Sequence, residues 1–187
     1  MSAKTFLLII GLLAITGGLF YVAVRAPAPA PPAAQTPSPI PTPVAQSQLL
    51  FGPLSSAPPP LTKLQYSLPI NISTGTNKVT AVQLELQYDA NLLSNVSISA
   101  GNFFENPIVL LNKIEQKTGR ISYALGISPE NSGKQGEGIA AILTFESKSK
   151  VPVQTTIQFL PKSLVTAEGI SDSVLALTQP AQITVGK

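Results

Sequence analysis

Residues 80–101 read TAVQLELQYDANLLSNVSISAG, from Thr80 to Gly101, and this stretch decides the fold. Val82, Leu84, Leu86 and Tyr88 alternate with Ala81, Gln83, Glu85 and Gln87, the two-residue period of a strand with one buried and one wet face. Asp89, Ala90 and Asn91 break the alternation with turn-forming side chains. Leu92 and Leu93 then lead into a second alternation through Val96 and Ile98 that stops at Gly101. The spacing predicts two strands, with the rest of the domain packed around the pair.

Outward from this pair the same pattern recurs. Leu49 to Phe51 is a short apolar run, and Leu64, Tyr66, Leu68, Ile70 and Ile72 alternate before the turn cluster Ser73 to Lys78. Downstream, Phe103 to Pro107 reads as a loop, Ile108 to Ile114 as a strand, and Gln116 to Gly119 as a turn. Ile121, Tyr123, Leu125 and Ile127 alternate up to Pro129; a polar loop precedes Ala141, Leu143 and Phe145; the tail adds TTIQFLP, SVLALT and AQITV. About nine short strands, frequent turns and no amphipathic helix after residue 25 predict an all-β sandwich.

Two blocks carry a family resemblance. LELQYDANLLSNVSISAG resembles the cohesin signature, an apolar strand ending in Tyr-Asp, then a turn, a leucine, a short strand and a glycine. GRISYALGI, a Gly-rich loop and GEGIAAILTFES are similar to the later cohesin pattern of strand, loop and Gly-x-Gly leading into a strand that ends in Thr-Phe. The resemblance covers Gln48 to Val185 and implies a nine-stranded jelly-roll sandwich. It also implies a non-catalytic module that binds dockerin domains through one flat sheet face. On this chain that face would present Ala81, Gln83, Glu85 and Gln87 from one strand with Ser122, Ala124 and Gly126 from another, small and polar side chains suited to a protein partner. Type I cohesins carry Asn and Asp where Ala81 and Gln83 stand, which puts a standard dockerin partner in doubt. Polysaccharide is the alternative ligand, because carbohydrate-binding modules share the superfamily fold, and it would link the chain to polysaccharide catabolism.

The N-terminal region is organised differently. Phe6 to Val24 carries no charge, and its nineteen residues would span about 28 Å as a helix, near the roughly 30 Å of a bilayer core. This run reads as a transmembrane anchor comprising residues 1–25; a cleaved signal peptide is the rival reading, disfavoured by the length of the run and by Pro27 and Pro29 in the cleavage region. Lys4 and the terminal amine against Arg25 favour a cytoplasmic N-terminus, with the C-terminal domain outside the cell. Residues 26–46, with proline at nearly every second or third position, read as an extended stalk of up to roughly 65 Å; an SH3-type ligand is the alternative there. Residues 47–187 are then one sandwich domain.

Composition narrows the chemistry. The chain of 187 residues has a net charge of +3, but with Lys4 and Arg25 set aside ten basic face nine acidic side chains. No basic cluster with interleaved aromatics suggests nucleic acid. There is no Cys and no His, which removes disulfides, thiol nucleophiles, imidazole bases and the usual zinc ligands. The nine carboxylates are scattered; Glu85 and Glu146 fall at outward strand phases and read as solvated charge. Asp89 and Asn91 read as an Asx-type turn rather than calcium ligands. The sequons at Asn71 and Asn95 read as chance matches. Gly133 to Gly138 precedes a strand, not a phosphate-cradling helix. No catalytic site, metal or cofactor is expected. Tyr66, Tyr88 and Tyr123 share phase with aliphatic neighbours and are expected in the core, while one of the adjacent Phe103 and Phe104 is expected to point outward. A surface protein that self-associates through an exposed edge strand, with no soluble ligand, is the competing function.

Overall fold

The computed structural model describes residues 3–25, 45–56 and 65–186. Two compact units divide near residue 41. The first contains one helix, α1 (Ala3–Arg25). The expected membrane crossing is not met there: among the described residues no helix is long and apolar enough to cross a membrane. The expected stalk lies almost wholly outside the described residues, and so does Leu64.

The second unit is a two-sheet β-sandwich. Its strands are β1 (Ser47–Phe51), β2 (Ser55–Ser56), β3 (Gln65–Ser73), β4 (Val79–Gln87), β5 (Leu93–Ala100) and β6 (Ile108–Glu115). They continue as β7 (Arg120–Gly126), β8 (Glu137–Ser147), β9 (Val153–Phe159), β10 (Leu164–Ala167), β11 (Leu175–Gln179) and β12 (Ala181–Val185). One sheet runs β11-β1-β3-β8-β5 with β2 beside β3; the other runs β12-β9-β4-β7-β6 with β10 beside β4. The described residues form twelve strands, where about nine were expected. The two without a sequence signal, β2 and β10, are two and four residues long, too short for an alternation to stand out.

The decisive pair behaves differently from a hairpin. β4 and β5 are not hydrogen-bonded to each other; they belong to opposite sheets, and the turn at Asp89 to Asn91 carries the chain across the sandwich. In that turn Asp89 Oδ1 accepts the Asn91 N–H at 2.8 Å, as an Asx turn does. The inward phases of both strands then meet in one core: Leu84, Leu86 and Tyr88 from one sheet, Val96 and Ile98 from the other, the latter joined by Leu68, Ile70, Leu143 and Phe145 of the same sheet. Tyr66, Tyr88 and Tyr123 are buried as expected. Phe103 and Phe104 are both buried, at 1% and 2% exposure, with ring centroids 4.8 Å apart. The outward expectation for one of them fails because residues 102–106 form a run of bends, where the alternation of an extended chain does not apply.

Candidate protein-docking face

Strand register brings the seven expected binding residues together. In the β4–β7 pair Ala81 lies opposite Gly126, Gln83 opposite Ala124, and Glu85 opposite Ser122, with Gln87 opposite Arg120. Residues directly opposite share a face of the sheet, so these pairs form one patch on its outer side. β6 extends the patch with Leu111 beside Ala124 and Lys113 beside Ser122. On the far side β10 adds Leu164 beside Gln83 and Thr166 beside Ala81. The floor is low around Gly126: a Cβ there would stand 3.0 Å from the Ala81 Cβ and from the Thr80 carbonyl oxygen, so only a small residue fits.

Glu85 corrects the expectation of a solvated carboxylate. It does point to the outer face, yet it is only 5% exposed. Its Oε2 accepts from Arg120 Nη2 at 3.1 Å, Arg120 Nε at 3.3 Å and Ser122 Oγ at 2.8 Å, and Gln83 Nε2 reaches Oε1 at 3.5 Å. The loop between β9 and β10 closes over its backbone: Leu160 N–H donates to the Glu85 carbonyl at 2.7 Å, and the Glu85 N–H donates to Ser163 Oγ at 3.0 Å. A buried carboxylate is retained when charged donors surround it, and Arg120 supplies the countercharge. Glu146, also expected outside, is half-buried.

Sequence reasoning missed the apolar corner of this face. Ile108, Val109, Leu110 and Leu111 are 41–66% exposed, because β6 is the terminal strand of its sheet. A bulge between Val109 and Leu111 leaves Leu110, the most exposed of them, without a partner residue on β7. An apolar run that looks buried in sequence is thereby presented to solvent. Lys113 and Glu115 next along the strand pair with each other at 2.7 Å, and the Lys113 ammonium and the Thr118 hydroxyl hold the Glu115 carboxyl below its usual range.

No exposed aromatic side chain occurs among the described residues of the sandwich, so a stacking platform for sugar rings is not present there. Among the described residues no group of three or more acidic side chains converges as a metal site would require.

The chain is similar to known proteins in two ways. The cohesin domain family model matches residues 65–185. Among solved structures, the third cohesin of ScaC from Acetivibrio cellulolyticus, in complex with the ScaB dockerin, superposes with a TM-score of 0.57 at 18% identity, covering 76% of this chain and 100% of that one. The OlpC cohesin of Clostridium thermocellum, in complex with a dockerin, gives 0.57 at 13% identity, covering 75% and 93%. The cohesin CaCohA2 of Clostridium acetobutylicum gives 0.52 at 20%, covering 74% and 91%. No curated protein matches the chain. Identities this low establish the shared fold, while the family match spans most of the sandwich and carries with it the non-catalytic, interaction-module character of that family. With this sheet order, this register and this match, the chain belongs to the cohesin domain family.

Proposed function

We propose that the outer face of β4, β7 and β6 docks a protein partner of the dockerin class. The observation that carries this reading is the face itself: cross-strand rows of small and polar side chains beside an exposed aliphatic corner at Ile108, Leu110 and Leu111, a combination of apolar contact and flat surface suited to a helical partner. Dockerins are bound by the similar structures described above. Ala81 and Gln83 offer no carboxylate, so the partner contacts would centre on Leu111, Ala124 and Ser122. The test is capture of a panel of dockerins, starting with the ScaB dockerin, by the wild-type chain and by two variants. Leu111→Asp is expected to weaken capture at least tenfold, and Gln83→Arg with Gln87→Arg to weaken it as well, since both place an unpaired charge at the contact. A Lys148 and Lys150 double substitution serves as control; Lys148 donates to the Ala90 carbonyl at 2.6 Å, at the β4–β5 turn. Loss of capture in the control alone would move the site elsewhere.

The proposal includes location. The uncharged run from Phe6 to Val24 supports a tether that holds the sandwich outside the cell, with residues 26–46 as spacer. Extraction of the chain into the membrane fraction, with an intact N-terminus on sequencing, is the expected outcome; a mature N-terminus near residue 27 or 29 would make it a secreted protein.

The exposed edge of β6 favours self-association as a second reading. However, Leu110 sits at a bulge and Lys113 is charged, two features that discourage edge pairing. A constant elution volume over a concentration series is therefore expected.

A further inference from the structure

The outer face of the opposite sheet carries a concavity of about 410 Å³, which falls within the roughly 300–1,000 Å³ of small-molecule sites. Two cross-strand rows line it. Leu50, Asn71 and Ile139 face one another across β1, β3 and β8, and Gln48, Ser73 and Glu137 form the next row. The shape has a cause: at the β3–β8 register shift Ile70 pairs with Ala141 and Asn71 with Ile139, so Ala140 is an extra residue and the strand bends. Gly138 lies between the two rows opposite the inward-facing Ile72, and a Cβ there would meet the buried Phe103 at 3.2 Å, so the backbone packs closely against the core at this point.

We propose that this groove binds a neutral oligosaccharide. Its polar groups are the amides of Gln48, Asn71 and Asn102, the Ser73 hydroxyl and one carboxylate, which together offer both donors and acceptors. Ser73 Oγ donates to Glu137 Oε1 at 3.2 Å, and Asn102 Oδ1 accepts the Ile139 N–H at 3.0 Å, so two of these groups are held in place. Among the described residues no cationic side chain lines the groove, which disfavours an anion, and the single carboxylate there is too little for a metal ion. Leu50 and Ile139 flank Asn71, an aliphatic floor with a hydrogen-bonding centre that matches the C–H face and the hydroxyls of a pyranose ring. A peptide added as a strand has no place here, because β1, β3 and β8 each have strand neighbours on both sides. Hydrogen bonding in a groove thus replaces the aromatic platform that the sandwich lacks. This site is separate from the docking face and does not depend on it.

Methyl NMR of the full-length chain, labelled at Ile and Leu methyls and held in a sugar-free zwitterionic detergent, tests the assignment. Cellohexaose, xylohexaose and mannohexaose are titrated separately to about 10 mM, with hexaglycine as the peptide arm. Saturable shifts of the Leu50 and Ile139 methyls with at least one sugar are expected, with Leu84 in the core and Leu111 on the opposite sheet unmoved. Asn71→Ala and Glu137→Gln should each weaken binding about tenfold, and an unchanged Leu84 signal reports that the variant is folded. Absence of shifts at Leu50 and Ile139 with all three sugars would overturn the proposal. So would a stronger response to hexaglycine, or sugar affinity that survives in both variants.

Discussion

Glu85 and Tyr123 hold opposite kinds of buried polar atom. The Glu85 carboxylate is fully engaged, so removing Arg120 would strand a charge beneath the β9–β10 loop. Arg120→Ala is expected to cost about 1–3 kcal/mol in chemical denaturation, less than a wholly buried pair because the Arg120 side chain is 42% exposed. Glu85→Gln in the same chain should recover part of it. The Tyr123 hydroxyl is buried with no hydrogen-bond partner among the described residues. Tyr123→Phe should therefore leave stability unchanged or raise it by up to about 1 kcal/mol. Burial pushes the Tyr88 and Tyr123 hydroxyls above their ordinary value. A folded value raised in this way contributes stability that is complete below about pH 10 and is lost as pH climbs through the raised value. Denaturant midpoints should fall above that pH, and less steeply in Tyr123→Phe. The tyrosines were legible in the sequence because phase alone places them inward. Glu85 was not, since its burial depends on Arg120 across the sheet and on Ser163 some eighty residues on.

At the level of strands, alternation was the readable signal and partnership was not. Residues 80–88 and 92–98 announced two strands, but nothing in them told that the strands enter opposite sheets. The consequence for stability is the same either way, because both contribute to one core. Leu84→Asp or Leu143→Asp would bury an unpaired charge at a cost of several kcal/mol against a total of roughly 5 to 15, so each is expected to abolish the cooperative thermal transition. The outward phases picked out residues of β4 and β7 that register then sets opposite one another. The Leu111 corner stayed hidden because an apolar strand at a sheet edge and one at its centre can have the same composition. β10 stayed hidden because LVTA is four residues of unremarkable sequence.

For the molecule as a whole, β4 divides one edge between two partners distant in the chain. β9 pairs with its end at Leu86 and Gln87, and β10 pairs with its beginning from Val79 to Gln83. Val82 thus waits for Val165, and β3 waits for β8 from Gln65 opposite Glu146 to Ser73 opposite Glu137. Pairings of such separation place the sandwich among slow-folding topologies, because the chain between must be ordered before the contact forms. During synthesis the β4 edge stays open until residues 164–167 leave the ribosome. A chain that stops after Phe159 lacks the strand beside Ala81 and Gln83 and the loop over Glu85, so that side of the candidate face is left incomplete. Until β10 is in place that open edge is free to pair with another chain, which makes the half-made sandwich prone to aggregate.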